Sequence, residues 1–290
     1  MSNPPLVYLN GEFLAPEHAR IPVMDRGFLF GDGVYEVIPC YQGRLFRLSH
    51  HLQRLDNSLR AIRMTNPMAH EQWSQVLEKL VAQRPEGDQS VYLQVTRGAA
   101  AERNHTIPQG IAPTLFAMTN PLHIAPPAQQ RQGVAAITLD DVRWKLCNIK
   151  AITLLANVLM REQARDEGAV EAILIRDGLA MEGAASNLFT VQDGVIITPP
   201  KGPFLLPGIT RDLILELARH HRLPHREEAI TLEQLQGANE IWLTSSTKEI
   251  MPVTQLDGET VGNGRPGPIF QQTANLFADY KAAIRSGEID

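Results

Sequence analysis

Lys150 stands in the run CNIKAITLLANVL, where Ile149, Ile152, Leu155 and Leu159 recur at spacings of three and four and predict a helix over 149–165. A lysine opening such a helix is partly desolvated and meets the positive end of the helix dipole. Both conditions favour a neutral amine able to attack a carbonyl. Glu182 follows the turn Asp177-Gly178 and opens EGAASNLF. Buried opposite a pyridine-type nitrogen, it would keep that nitrogen protonated. Gly208, Ile209 and Thr210 precede the apolar run of LPGITRDLILELA, so backbone amides at a helix start and a threonine hydroxyl could cradle a phosphate. Ser245, Ser246 and Thr247 form a second hydroxyl cluster after the strand-like EIWLT, and Asn187 reads as an amide that holds a loop. Arg54 interrupts an apolar-striped helix and could grip a phosphate with its fork. Arg103 and His105 share a loop of small residues and could meet a substrate carboxylate, while Tyr35 follows the close-approach glycines of FGDGVYE. Each residue also has a plainer alternative: a snorkelling surface lysine, a turn carboxylate, a threonine N-cap, a solvated helix face or a surface loop.

The elements that must hold these groups alternate along 290 residues. Asn10-Gly11 and Gln42-Gly43 mark hairpins within 6–14 and 34–46. Helices are predicted over 48–62, with Ser49 as a candidate cap, and over 73–81, followed by strands at 90–96 and 113–118. The proline-rich NPLHIAPPAQQRQ, residues 120–132, reads as an interdomain linker. Beyond it come strands at 134–139, 169–175, 187–198 and 240–244, a hairpin at 252–261, and helices at 210–220, 232–235 and 268–284. This pattern predicts an α+β chain of two domains: a small N-terminal domain over 1–119 and a larger one over 133–290.

Composition narrows the classes. With 43% hydrophobic and 20% charged residues the chain is globular, and its formal charge of -5 argues against a nucleic-acid partner. Cys40 and Cys147 lie far apart and suggest two thiols in a reducing setting, so cytoplasm is expected. No secretory leader and no membrane-length apolar run is visible, and neither GxGxxG, GxxxxGK[ST] nor HExxH is present.

Taken together, these residues resemble the class IV, fold-type IV pyridoxal-phosphate-dependent aminotransferases. The family pattern is met at Glu182, Ala184, Asn187-Leu188-Phe189, Ile196 and Thr198, Leu206, Gly208-Ile209 and Arg211. DRGFLFGDGVYEV, HLQRL and RWKLCNIKAITLL match as well, so the likeness runs from about Val7 to Phe277. Within the family the chain is most similar to the D-amino-acid aminotransferases. The resemblance implies a two-domain fold-type IV enzyme, with a smaller N-terminal α/β domain and a larger C-terminal cofactor-binding one. It implies pyridoxal 5'-phosphate on Lys150 as a Schiff base, with Lys150 as proton shuttle. Glu182 would meet the ring nitrogen, and Arg54, Leu206, Ile209, Thr210 and Ser246 would complete the cofactor site. Tyr35, Arg103 and His105 would bind the substrate carboxylate, the last two supplied across a homodimer. Substrates would be a D-amino acid and 2-oxoglutarate or pyruvate, with no metal, nucleic acid or membrane involved. Two departures concern the substrate end: the loop between Gly98 and Arg103 is one residue longer than in the D-amino-acid relatives, and Ala185 replaces a serine. A branched-chain L-amino-acid aminotransferase, an aminodeoxychorismate lyase, an (R)-selective amine transaminase and a non-catalytic cofactor-binding protein remain the alternatives.

Overall fold

The computed structural model describes residues 5–84, 86–122 and 126–289 and is α+β. It divides into two compact units. The first holds 1–122 together with 149–153 and 283–290, and the second holds 123–148 and 154–282, so the chain returns to the first unit twice.

The first unit is built on a six-stranded antiparallel sheet in the order β2-β1-β6-β5-β3-β4. Its strands are β1 (Val7–Leu9), β2 (Glu12–Leu14), β3 (Gly33–Tyr41), β4 (Arg44–Leu45), β5 (Gln89–Thr96) and β6 (Thr114–Pro121). Both expected hairpin turns form, with Asn10, Gly11, Gln42 and Gly43 at positive φ, as a two-residue hairpin turn requires. The helices are α1 (Arg26–Phe30), α2 (Leu48–Ala61) and α3 (His70–Val81). Apolar residues of α2 and α3 (Leu52, Leu55, Leu59, Trp73, Leu77) bury against Ile38 and Leu93 of the sheet, the outcome that their 3–4 spacing predicts. Arg47, in a left-handed conformation, precedes α2; Ser49 therefore lies inside the first turn and does not cap it.

The helix expected from Ile149 starts only at Leu155. Residues 149–153 form an irregular stretch beside β3 instead, where Ala151 bridges Val34, Tyr35 N–H donates to the Lys150 carbonyl and Ile152 N–H donates to Gly33 O. Ile149 and Ala151 pack into the core of the first unit. Tertiary hydrogen bonds and burial outweigh the local helical period here. Lys150 thus owes nothing to a helix dipole, and the apolar stripe is split: Ile149 is buried, whereas Leu155 and Leu159 are 72% and 61% exposed.

The second unit carries a ten-stranded mixed sheet. In chain order its elements are α4 (Pro127–Gln132), β7 (Val134–Asp140), α5 (Leu155–Asp166), β8 (Glu171–Arg176), β9 (Leu179–Gly183), β10 (Asn187–Gln192), β11 (Val195–Thr198) and α6 (Ile209–His220). β12 (His225–Glu227), β13 (Ile230–Thr231), α7 (Leu232–Gln236), β14 (Glu240–Ser245), β15 (Glu249–Leu256), β16 (Glu259–Thr260) and α8 (Pro268–Ser286) follow. The strand order is β12-β11-β10-β14-β15-β7-β8-β9-β13, with β16 on β15; β15–β7, β7–β8 and β11–β12 run parallel. Residues 123–125 of the expected linker lie outside the described residues, and its last part is helical in α4, where Pro127 occupies the first turn that tolerates proline.

Candidate active site

Within the first unit, the return of 149–153 sets Lys150 among buried polar groups. Its Nζ lies 4.1 Å from the centroid of the Tyr35 ring, its backbone N–H donates to Ser58 Oγ at 3.2 Å, and among the described residues no carboxylate pairs with its amine. α2 presents His51, Arg54 and Ser58, all buried, on the face that also carries its leucines. Arg54 donates from Nε and Nη2 to the two oxygens of Glu36 at 2.8 Å each, and His51 Nδ1 lies 2.8 Å from Glu36 Oε2. Burial opposes the Glu36 charge, but Arg54 and then His51 outweigh it and hold the carboxyl at about 2. Burial pushes His51 down against the pull of Glu36. A neutral ring beside an ionised carboxylate donates from Nδ1, which leaves Nε2 buried with no hydrogen-bond partner.

The second unit gathers a different set. Glu182, at the end of β9, is buried. Its Oε1 accepts from Arg143 Nη1 at 2.6 Å, and its Oε2 accepts from Asn187 Nδ2 at 3.1 Å and the Leu206 N–H at 3.0 Å. Arg143 is in turn gripped by Asp141 through Nε at 2.8 Å and Nη2 at 3.0 Å, and Arg176 shares Asp141 Oδ2 at 2.9 Å. Burial, the largest influence, pushes the Glu182 carboxyl up to about 7 in spite of Arg143. For Arg143 burial works against the charge, but Asp141 and Glu182 outweigh it and keep the guanidinium protonated. Asn187 also donates to Leu206 O at 2.8 Å, tying Glu182 to the segment that leads into α6. Gly208 caps α6, without a side chain to occupy the first amides; Ile209 and Thr210 are buried at its first two positions. The expected threonine cap is therefore a glycine. Ser246 lies in the turn between β14 and β15, two residues past Thr244, which pairs with Asn187 and has a buried Oγ1 without a partner. Ala185 is exposed, whereas Ser186 donates to the buried Glu171, which Lys248 also contacts at 3.2 Å.

Arg103 and His105 are exposed in the first unit, and both pack on Phe30: Arg103 Cζ lies 4.9 Å from that ring's centroid and the His105 ring 5.2 Å from it.

The sequence assigned no role to Glu36, His51, Asp141 or Arg143, although Glu36, His51 and Arg143 lie within the runs that match the family. A signal existed for one: His51, Arg54 and Ser58 recur at the spacing of a single helix face, the same as the buried leucines. Arg143 opens the matched run RWKLCNIKAITLL, but nothing local pointed it to Glu182, which lies far away in sequence.

The glycine at 208 supports a direct test. A Cβ there would approach Asn187 Oδ1 to 1.9 Å. Asn187 cannot swing aside without breaking its bonds to Glu182 and Leu206 O. Gly208→Ala is expected to lower stability by about 1–3 kcal/mol, seen as a fall in the thermal midpoint. An unchanged midpoint would mean that Asn187 moves freely.

A mixed ten-stranded sheet, a buried carboxylate held by an arginine and an unpaired lysine amine define a chain equipped for carbonyl–amine chemistry. The family model for amino-transferase class IV matches residues 33–256, and the chain belongs to that family. It is 42% identical over 280 residues to a D-alanine aminotransferase of Bacillus licheniformis, with 97% of both chains covered. Among solved structures it is similar to the branched-chain amino acid aminotransferase of Escherichia coli, at 28% identity with a TM-score of 0.88 over 94% of this chain and 93% of that one. It is also similar to the pyridoxal-phosphate-bound form of a hypothetical aminotransferase from Mycobacterium tuberculosis, at 26% identity with a TM-score of 0.83 over 98% of this chain and all of the other.

Proposed function

We propose that the chain transfers an amino group between a D-amino acid and a 2-oxo acid, 2-oxoglutarate or pyruvate, with pyridoxal 5'-phosphate as its cofactor. The observation that carries this reading is the Lys150 amine, held over the Tyr35 ring with no carboxylate partner among the described residues. Each unit, taken by itself, holds residues whose chemistry suits the cofactor. Lys150 supplies an amine for covalent attachment, and Glu182 supplies a buried acceptor for a ring N–H. Gly208, Ile209 and Thr210 supply a helix start left open by the absence of a capping side chain. Arg54, Leu206 and Ser246 complete the set we assign to the cofactor.

When bound, pyridoxal phosphate supplies an electron sink for the charge that develops on the substrate α-carbon. The rest falls to the chain. Lys150 Nζ would take the α-proton from the substrate and later release it, as base and then acid. Tyr35 fixes the lysine side chain from one face. The Arg143 cation holds Glu182 in place, and Asn187 and the Leu206 amide occupy its other oxygen, so the carboxylate is fixed in one orientation, in which it would hold a ring N–H. Tyr35, Arg103 and His105 bind the substrate carboxylate.

The identity to D-alanine aminotransferases supports a D-amino-acid donor. The structural likeness to the branched-chain enzyme supports a second reading, L-amino-acid transamination. Mixing cofactor-loaded protein separately with D-alanine, D-glutamate, L-leucine and L-glutamate separates them: the visible absorbance of the bound cofactor is expected to bleach with the D-amino acids. Bleaching with L-leucine and L-glutamate alone would replace the first reading with the second.

We read the active form as a homodimer. Leu155, Val158 and Leu159 expose one apolar face of α5, a pattern that marks interaction surfaces. Leu159→Arg is expected to shift the light-scattering mass from two chains toward one; an unchanged mass would remove this face from the interface. No helix among the described residues is long and apolar enough to cross a membrane. The buried free thiols of Cys40 and Cys147 support the cytoplasm as the setting.

A further inference from the structure

The connection from Arg97 to Pro113, which carries Arg103 and His105, contains no helix or strand. Its start is pinned: Arg26 N–H donates to Gly98 O at 2.9 Å, Ala99 bridges Asp25, and Ala100 N–H donates to Met24 O at 3.3 Å. Farther out, the tie is a side chain. Arg26, the first residue of α1, is buried, and its Nη1 donates to Asn104 O at 2.5 Å. That carbonyl lies between Arg103 and His105 in sequence. A buried guanidinium therefore fixes the backbone midway between two exposed substrate-facing candidates.

Arg26 is itself immobilised. Its Nε donates to Asp32 Oδ2 at 2.8 Å, and Arg97 grips the same carboxylate through Nε at 2.8 Å and Nη2 at 3.0 Å. Arg97 Nη2 also reaches Ile62 O at 2.7 Å, which ties the cluster to the end of α2. Asp25 locks α1 from the other side: it accepts from Gly27 N–H, Thr96 Oγ1 and Thr114 Oγ1 at 2.7, 3.0 and 2.6 Å. Phe30, at the far end of α1, has the Arg26 guanidinium 4.8 Å from its ring centroid, beside its contacts to Arg103 and His105. One short helix thus supports the loop twice, through a hydrogen bond to its backbone and through a ring under both side chains.

We propose that Arg26, with Phe30 beside it, is the positioning residue that sets the Arg103–His105 pair for the substrate carboxylate. This rests on reading Arg103 and His105 as carboxylate-binding residues. It also answers how a lengthened loop still presents them: their placement depends on a clamp from α1 and not on the loop's own length. Arg26 touches no reacting atom; it acts through Asn104 O and Phe30. Lysine in its place would keep a charge but lose the fork that serves Asp32 and Asn104 together.

The test uses the holoenzyme with Arg26→Lys, Phe30→Leu and Arg103→Ala. KM and kcat for D-alanine, inhibition by propionate as a carboxylate-only probe, and hydrogen exchange of residues 100–107 are measured. Arg26→Lys and Phe30→Leu are each expected to raise KM and the propionate inhibition constant about tenfold, as misplacement of a binding group does. They should raise KM more than they lower kcat, speed exchange in 100–107 and preserve the visible absorbance of the lysine-bound cofactor. KM and propionate inhibition within twofold of wild type in both variants, with a large rise in Arg103→Ala, would overturn the positioning role alone. No rise in Arg103→Ala would overturn the carboxylate reading and the positioning role with it. Should Arg26→Lys fail to fold, Phe30→Leu decides.

Discussion

Lys150→Ala is expected to cut transamination by at least about 10⁴-fold, the upper range for loss of a proton-transferring group, and to abolish covalent attachment of the cofactor. The physical basis is that, among the described residues of the first unit, no second lysine is recorded in contact with Tyr35 or Ser58, the groups that hold Lys150. Arg54, which shares the Glu36 carboxylate with His51, has its Nε and Nη2 on that carboxylate. Burial holds His51 toward its neutral form, and its Nδ1 is engaged by Glu36. Two measurements check the expectation. Borohydride reduction followed by mass analysis should add the cofactor mass to the peptide containing residue 150 in the wild type and to no peptide in the variant. Turnover of D-alanine should fall in parallel. Adduct formation at another lysine with activity retained would refute the assignment.

The second large effect is expected at Glu182. Glu182→Gln keeps the shape but removes the negative charge and leaves one acceptor oxygen, which can serve either Arg143 or the Leu206 amide but not both, and kcat is expected to fall about 10²-fold. Its stability signature has the opposite sign. Folding raises the carboxyl from 4.5 to about 7, so between those values the folded chain binds a proton that the unfolded chain has released. The stability from that proton is complete below the unfolded value and is lost as pH rises through 7. Glutamine never ionises. In cofactor-free protein, the thermal midpoint of Glu182→Gln relative to wild type should therefore rise between pH 5 and pH 8. A difference that stays flat or falls over this range would show that Glu182 is ionised throughout. Because Glu36 is present in both proteins, its own loss of stability as pH falls toward 2 cancels from the comparison.

The two experiments address different units. Loss at Lys150 with retention at Glu182 would leave covalent chemistry without a carboxylate-assisted electron sink. The reverse result would mean that a group other than Lys150 carries the proton transfer.

What the sequence determined by itself is what short-range physics encodes. The Asn-Gly and Asp-Gly turns placed the hairpins, because few residues tolerate the positive φ they require. The leucine spacing of 52, 55 and 59 placed α2 and its buried face. The ordered series from Glu182 to Arg211 was sufficient to bring Glu182, Asn187 and the start of α6 to one place, since the intervening β10 and β11 form a local hairpin. The tertiary structure alone decided the rest. It drew 149–154 out of a helix whose period was sound, because β3 offered hydrogen bonds and a core that an isolated turn of helix cannot match. It paired Arg143 with Glu182, and Arg26 with Asn104, across separations that carry no local signal. The reason the sequence offered for singling out Lys150 does not hold: its backbone bonds to β3 and its amine lies over a tyrosine ring, not at a helix end. Residue type and order identified the chemistry, and long-range packing, where burial energy outweighs local propensity, fixed the geometry in which it can occur.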